Sequence, residues 1–99
     1  MEINSQHTME LLLSGDEDIF EQEYKHYLRP LHSYAMSVSR DADIAEGMVQ
    51  NVFLRLWERR ARLSLNGSLP AYLYAAVYNE CLNHLRHQKV KKIISYTLK

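Results

Sequence analysis

Between Asp41 and Arg60, apolar residues return in adjacent pairs every four positions: Ile44/Ala45, Met48/Val49, Val52/Phe53 and Leu56/Trp57. A period this close to 3.6 buries one stripe of an α-helix, whereas on a strand the same residues would scatter over both faces. Asp41 stands where a helix N-cap belongs, so the spacing predicts a helix from there to about Arg60. No segment alternates with the period of two that a half-buried strand requires. Three Gly and two Pro in 99 residues are also too few for a turn-rich sandwich or barrel. The chain therefore reads as all-α: a compact bundle of three main helices plus a short N-terminal one. A single domain of this length has an expected radius of gyration of about 13 Å.

The remaining helices are bounded by ordinary signals. A first short segment, Thr8 to Leu13, stops at Ser14-Gly15, where Gly can take the left-handed capping conformation. Asp16 or Asp18 offers the next N-cap, followed by Phe20, Tyr24, Tyr27, Leu28, Leu31, Tyr34, Ala35 and Val38 at helical spacing. Pro30 lies inside that segment and is expected to kink or divide it. After a loop at Arg62 to Gly67, Ser68 can cap a last helix that tolerates Pro70 in its first turn. That helix should continue through Leu85 and on toward Lys92. The expected core is Phe20, Tyr27, Leu31, Val52, Phe53, Trp57, Leu73 and Val77.

The zero net charge conceals a gradient. Residues 1–30 carry seven acids and two bases, whereas residues 78–99 carry one acid, Glu80, and five bases. A basic end suggests an acidic partner, nucleic acid being the commonest, although Lys and Arg also suit a solvated helix terminus. The longest apolar run, Ala71 to Tyr78, is far shorter than the roughly 18 residues of a membrane span. The N-terminal Met-Glu-Ile-Asn-Ser-Gln has neither the basic start nor the apolar stretch of a signal peptide. One cysteine, Cys81, admits no internal disulfide and suits a reducing, cytoplasmic compartment.

Two helix faces carry residues that a core does not require. On the last helix, Leu73, Tyr74, Val77, Tyr78, Cys81 and Leu85 are the expected buried stripe. Opposite them Tyr72, Asn79, Asn83 and Arg86 share a row, with Lys89, Lys91 and Lys92 beyond. An aromatic ring, two amides and a guanidinium in register can stack on a base, bond its edge and hold a phosphate; a wet face is the plainer alternative. On the third helix the polar side presents Asp43, Gly47, Gln50, Asn51, Leu54 and Glu58, with an apolar Leu54 in water. Such a residue is either incidental or part of a protein-binding patch.

Catalytic signatures are missing. There is no Gly-rich phosphate loop, no His-Glu-x-x-His and no Cys-x-x-Cys. Cys81, His84 and His87 step around the helix rather than converging, so no metal site is expected, and no cofactor. Asp16, Glu17 and Asp18 suit helix capping better than acid–base chemistry. The expectation is a binding domain and not an enzyme.

Phe20-Glu-Gln-Glu-Tyr-Lys-His-Tyr, Asp43-Ile-Ala-Glu-Gly-Met-Val-Gln-Asn-Val-Phe-Leu-Arg-Leu-Trp57, Leu69-Pro-Ala-Tyr-Leu-Tyr-Ala-Ala-Val-Tyr-Asn79 and Asn83-His-Leu-Arg86 together resemble region 2 of bacterial extracytoplasmic-function sigma factors, over about Asp16 to Lys92. The resemblance implies a cytoplasmic specificity subunit of RNA polymerase. It implies that Asp43, Gly47, Gln50, Asn51, Leu54 and Glu58 bind the clamp helices of the largest subunit. It also implies that Arg62, Leu65, Asn66 and Gly67 in the loop, with Tyr72, Asn79, Asn83, Arg86 and Lys89, contact the melted non-template strand of the promoter's minus-ten element. An anti-sigma factor is a further partner the family admits. Gly47 and Asn51 stand where the family usually has acids, and Tyr78 where an Arg is common. The expected organisation is a short N-terminal helix and cap at 1–15, the region 2-like domain at 16–92, and at 93–99 the start of a linker to a second domain outside the chain. Two other readings stay open: a sigma-like interaction module without promoter recognition, and a general nucleic-acid binder that uses only its basic end.

Overall fold

The computed structural model describes residues 5–63 and 68–97. Its elements are α1 (Ser5–Leu13), α2 (Glu17–Ser39), α3 (Ala42–Arg59) and α4 (Leu69–Thr97), with no strand among the described residues. The all-α expectation holds. α2 packs against α3 and α4, α3 against α4, and α1 closes on α2.

The corners follow from particular residues. Gly15 takes φ +94°, and its N–H reaches the Leu12 carbonyl at 3.1 Å while the Asp16 N–H reaches that of Leu11 at 3.0 Å. Two of the orphan carbonyls at the end of α1 are thereby satisfied, in a backbone conformation that Gly adopts without strain. Asp16 then caps α2, its carboxylate accepting from the Ile19 N–H at 3.1 Å. The bare Gly15 also makes room for Arg60, whose Nε lies 3.2 Å from where a Cβ would stand. The Arg60 guanidinium sits 4.0 Å over the Trp57 ring and donates to the Trp57 carbonyl at 2.6 Å. Arg60 thus ties the end of α3 to the α1–α2 corner.

Pro30 does not divide α2, which runs unbroken through it. The proline is exposed, and Leu31 and Ala35 beyond it are completely buried. Their packing outweighs the loss of one backbone hydrogen bond. Arg40 ends the helix in the left-handed region at φ 57°, its N–H bonded to the Met36 carbonyl at 2.9 Å. Asp41 caps α3 by accepting from the Asp43 and Ile44 N–H groups at 2.9 and 3.1 Å. Ser68 caps α4 through its Oγ, 3.2 Å from the Ala71 N–H.

The core comprises Leu12, Leu31, Ala35, Ala45, Val49, Val52, Phe53, Leu56, Leu73, Val77 and Cys81, with Met9, Met48 and Leu69 at its margin. Of the expected core residues, Phe20, Tyr27 and Trp57 are only half-buried. Trp57 lies between the Phe20 ring, 4.8 Å away and tilted by 57°, and Arg60 rather than in the interior.

α4 departs further from expectation. Its buried stripe is Leu69, Leu73, Val77 and Cys81, while Tyr74, Tyr78 and Leu85 are exposed. Apolar side chains stand on nearly every side of this helix, so its periodicity does not select the side that α2 and α3 cover. α4 also continues past Lys92 to Thr97, and every residue from Leu85 to Thr97 is exposed. A helix of 29 residues is about 44 Å long, more than the bundle can cover. The molecule is accordingly elongated, 57 × 26 × 20 Å, with a radius of gyration of 16.0 Å instead of the compact value.

Cys81 illustrates the interior. Its thiol is buried and donates to the Met48 sulfur at 3.6 Å. Burial, and secondarily the Glu80 carboxylate, push its pKa above the ordinary 9.0, so at neutral pH it is a thiol and not the reactive thiolate. Burial also raises the Tyr27 phenol above 10.0, with Glu23 and Tyr74 adding to it. In both cases the unfolded group loses its proton first. The associated stability is therefore complete below about pH 9 and is lost as pH rises through the folded values. Alkylation at about pH 8 should be slow in the folded protein and fast in denaturant, and the urea midpoint should fall above about pH 9. Complete labelling of the native protein within minutes would contradict this account.

Candidate functional site on the third and fourth helices

The outer side of α3 presents Asp43, Gln50, Leu54 and Glu58 exposed and Gly47 half-buried. Spacings of three, four and seven place them along one stripe, away from Ala45, Val49, Val52 and Leu56, which face inward. Leu54 is 54% exposed, as expected from its position. It is not isolated, however. With Phe20, Tyr24, Gln50, Phe53 and Trp57 it lines an open groove of about 280 Å³ between α2 and α3. This aromatic floor was hidden in the sequence because half of it comes from α2. Gln50, at the lip, donates to Glu46 at 3.3 Å, a bond weak enough to exchange for a partner.

Asn51 behaves differently from its neighbours. Its Nδ2 donates to Glu80 Oε1 of α4 at 3.4 Å, and Arg55 Nη1 donates to Glu80 Oε2 at 2.9 Å. The Glu80 side chain is only 10% exposed, so this carboxylate is a true bridge between the two helices. Neither Arg55 nor Glu80 stands out in the sequence. They lie 25 positions apart on separate helices, and only packing brings them together.

The second face lies on α4. Tyr72, Ala76, Asn79, Asn83 and Arg86 follow one another at spacings of four and three, and the row is continuous by register. Its two ends differ in exposure. Tyr72 and Ala76 are half-buried against the core, whereas Asn79, Asn83, Arg86 and Lys89 are exposed. The ring expected to stand free beside the amides is therefore partly covered. The exposed aromatic residues of this part of α4 are Tyr74 and Tyr78, which register places on another side of the helix from the row and which the sequence assigns to the interior; Tyr74 still makes an edge contact with Tyr34 at 5.7 Å. Arg62 is exposed just beyond α3. Leu65, Asn66 and Gly67, the rest of the loop singled out for base capture, lie outside the described residues.

Gly47 offers a direct test of the α3 face. A Cβ built there meets nothing within 4 Å, so no contact inside the fold requires glycine. Gly47→Ala should stabilise the domain by roughly 0.5–1 kcal/mol, read as a higher urea midpoint, because Ala removes the entropic penalty of Gly in a helix. A lower midpoint would show that the backbone of α3 needs the glycine after all.

No group of three or more His, Cys, Asp or Glu among the described residues is arranged to hold a metal ion. No described helix is long and apolar enough to cross a membrane. What the fold presents is a pair of exposed faces on adjoining helices, one amphipathic with an apolar groove, the other polar and basic.

A family model, Sigma-70 region 2, matches residues 23–90, which span α2, α3 and most of α4. The chain belongs to the Sigma-70 region 2 family. Its matched relatives include the ECF RNA polymerase sigma factor SigM from two strains of Mycobacterium tuberculosis, each 27% identical over 77 residues. The alignment covers 78% of this chain and 39% of the relative, so the chain spans about two fifths of the length of these curated relatives. No solved structure matches it. The family is one of transcription initiation factors and not of enzymes. Both faces lie within the matched stretch of this region 2 domain, and α4 leaves that stretch at Val90.

Proposed function

We propose that this region 2 domain acts in the cytoplasm in transcription initiation, holding the clamp helices of core RNA polymerase with α3 and the melted minus-ten non-template strand with α4. The observation that carries the reading is the shared bridge. Glu80 holds Asn51 and Arg55 of α3 while its neighbour Asn79 stands exposed on α4. A partner docked on α3 therefore bears on the helix that carries the reading row. On the polymerase side, Leu54 and Gln50 supply an apolar anchor and an amide beside the aromatic groove, the usual composition of an interface centre. On the DNA side, Asn79 and Asn83 can bond base edges only after the strands separate, and Arg86 and Lys89 can hold phosphates.

A second reading, an interaction module that occupies polymerase without promoter recognition, is favoured by the half-burial of Tyr72, which reduces the stacking surface on the row. Titration of the domain against a purified clamp-helix fragment should saturate. A labelled minus-ten non-template oligonucleotide should then bind the resulting complex. In that complex Arg86→Ala should weaken all sequences alike and lower the salt slope by about one, whereas Asn79→Ala should change base preference. Clamp binding without any sequence preference would select the second reading, and no clamp binding at tens of micromolar would reject both.

A further inference from the structure

We infer that the free end of α4 is a docking seam for an acidic amphipathic helix of a protein partner. Val90, Ile93 and Ile94 are 51%, 55% and 50% exposed, on a stretch of helix that nothing in the bundle covers. With Thr97 they stand at i, i+3, i+4 and i+7, the spacing of a one-sided helical stripe. Three neighbouring aliphatic side chains in water on a rigid helix form a contiguous patch, not scattered surface leucines. Ile93, Ile94 and Thr97 lie beyond the segment matched by the family model, and by register the seam continues the Tyr72–Arg86 row past its polar part toward the end of α4.

The surrounding charge selects the occupant. Lys89 borders the seam on one side and Lys91 on the other, Arg86 and His87 lie at its N-terminal end, and no acid follows Glu80 anywhere in the chain. A second copy pairing seam to seam would bring these cations together, which disfavours self-association. Nucleic acid would satisfy the lysines but leave the isoleucines in water. A helix with an apolar stripe and Asp or Glu on both flanks satisfies both at once, by the helix-against-helix mode of recognition.

The test uses the whole chain and a fluorescein-labelled helical peptide of about 16 residues, with Leu along one stripe and Glu on both flanks, beside a twin with Lys in place of every Glu. The Glu peptide should bind saturably, and the Lys twin at least about tenfold more weakly. Val90→Gln/Ile94→Gln should weaken the Glu peptide by about tenfold or more, with clamp-fragment binding unchanged, so failure here is separable from failure of the proposed function. Lys89→Glu/Lys91→Glu, at exposed positions with no role in the core, should reverse the preference between the peptides. Equal binding of the two peptides, absence of saturation by the Glu peptide, or a dimer in sedimentation that Val90→Gln/Ile94→Gln dissolves would each overturn the inference.

Discussion

Phe53→Ala should lower the unfolding free energy by about 3–5 kcal/mol, the cost of emptying an aromatic site in a packed core. Phe53 is 2% exposed, and its ring meets Tyr24 edge-on at 5.0 Å and Phe20 at 6.0 Å. Each aromatic pair is worth about 0.5–1.5 kcal/mol beyond the area it buries. Phe53 also joins α3 to α2 and forms part of the floor of the groove beside Leu54, so its loss opens the core from the side of the α3 face. A domain of this size has a net stability of about 5–15 kcal/mol, so the variant should be close to unfolding at physiological temperature. Urea denaturation gives the number directly, and the melting temperature should drop by roughly 15–25 °C. A loss under about 1 kcal/mol would mean that the interior repacks around the missing ring.

The double substitution Gln50→Ala/Leu54→Ala should abolish most clamp-helix binding while leaving the fold intact. Truncating the central residues of an interface costs about 2 kcal/mol or more, a weakening of roughly thirtyfold or more in Kd. Both side chains are exposed, and the fold forfeits only the long Gln50–Glu46 contact, a few tenths of a kcal/mol. Stability and affinity should therefore separate: an unchanged urea midpoint with a titration that no longer saturates. Unchanged affinity would remove the α3 stripe from the polymerase interface and leave the groove without a role in it.

The helices, their caps and their order are legible in the chain because each is a local matter. Asp41 caps α3 and Gly15 closes α1 through bonds to residues within five positions, and the four-residue recurrence of apolar pairs orients α3 by itself. The exposure of Leu54 follows from the same register. The family match, residues 23–90, covers α3 and most of the stretches that carry the resemblance, but not α1 or Gly15.

What the sequence determined on its own is therefore the helical class, the end of α1, the start of α2, the boundaries of α3 and the outward stripe of α3, whereas α1 begins at Ser5, earlier than the expected Thr8. Tertiary structure decided the rest. Which side of α4 is buried depends on where α2 and α3 lie, since apolar residues surround that helix; hence Tyr74 and Tyr78 emerge while Tyr72 turns under. The continuity of α2 through Pro30 depends on Leu31 and Ala35 finding a core beyond it. The Glu80 bridge to Asn51 and Arg55 exists only once α3 and α4 are side by side. Periodicity specifies the spacing of residues along one helix, but burial is a property of what another helix covers.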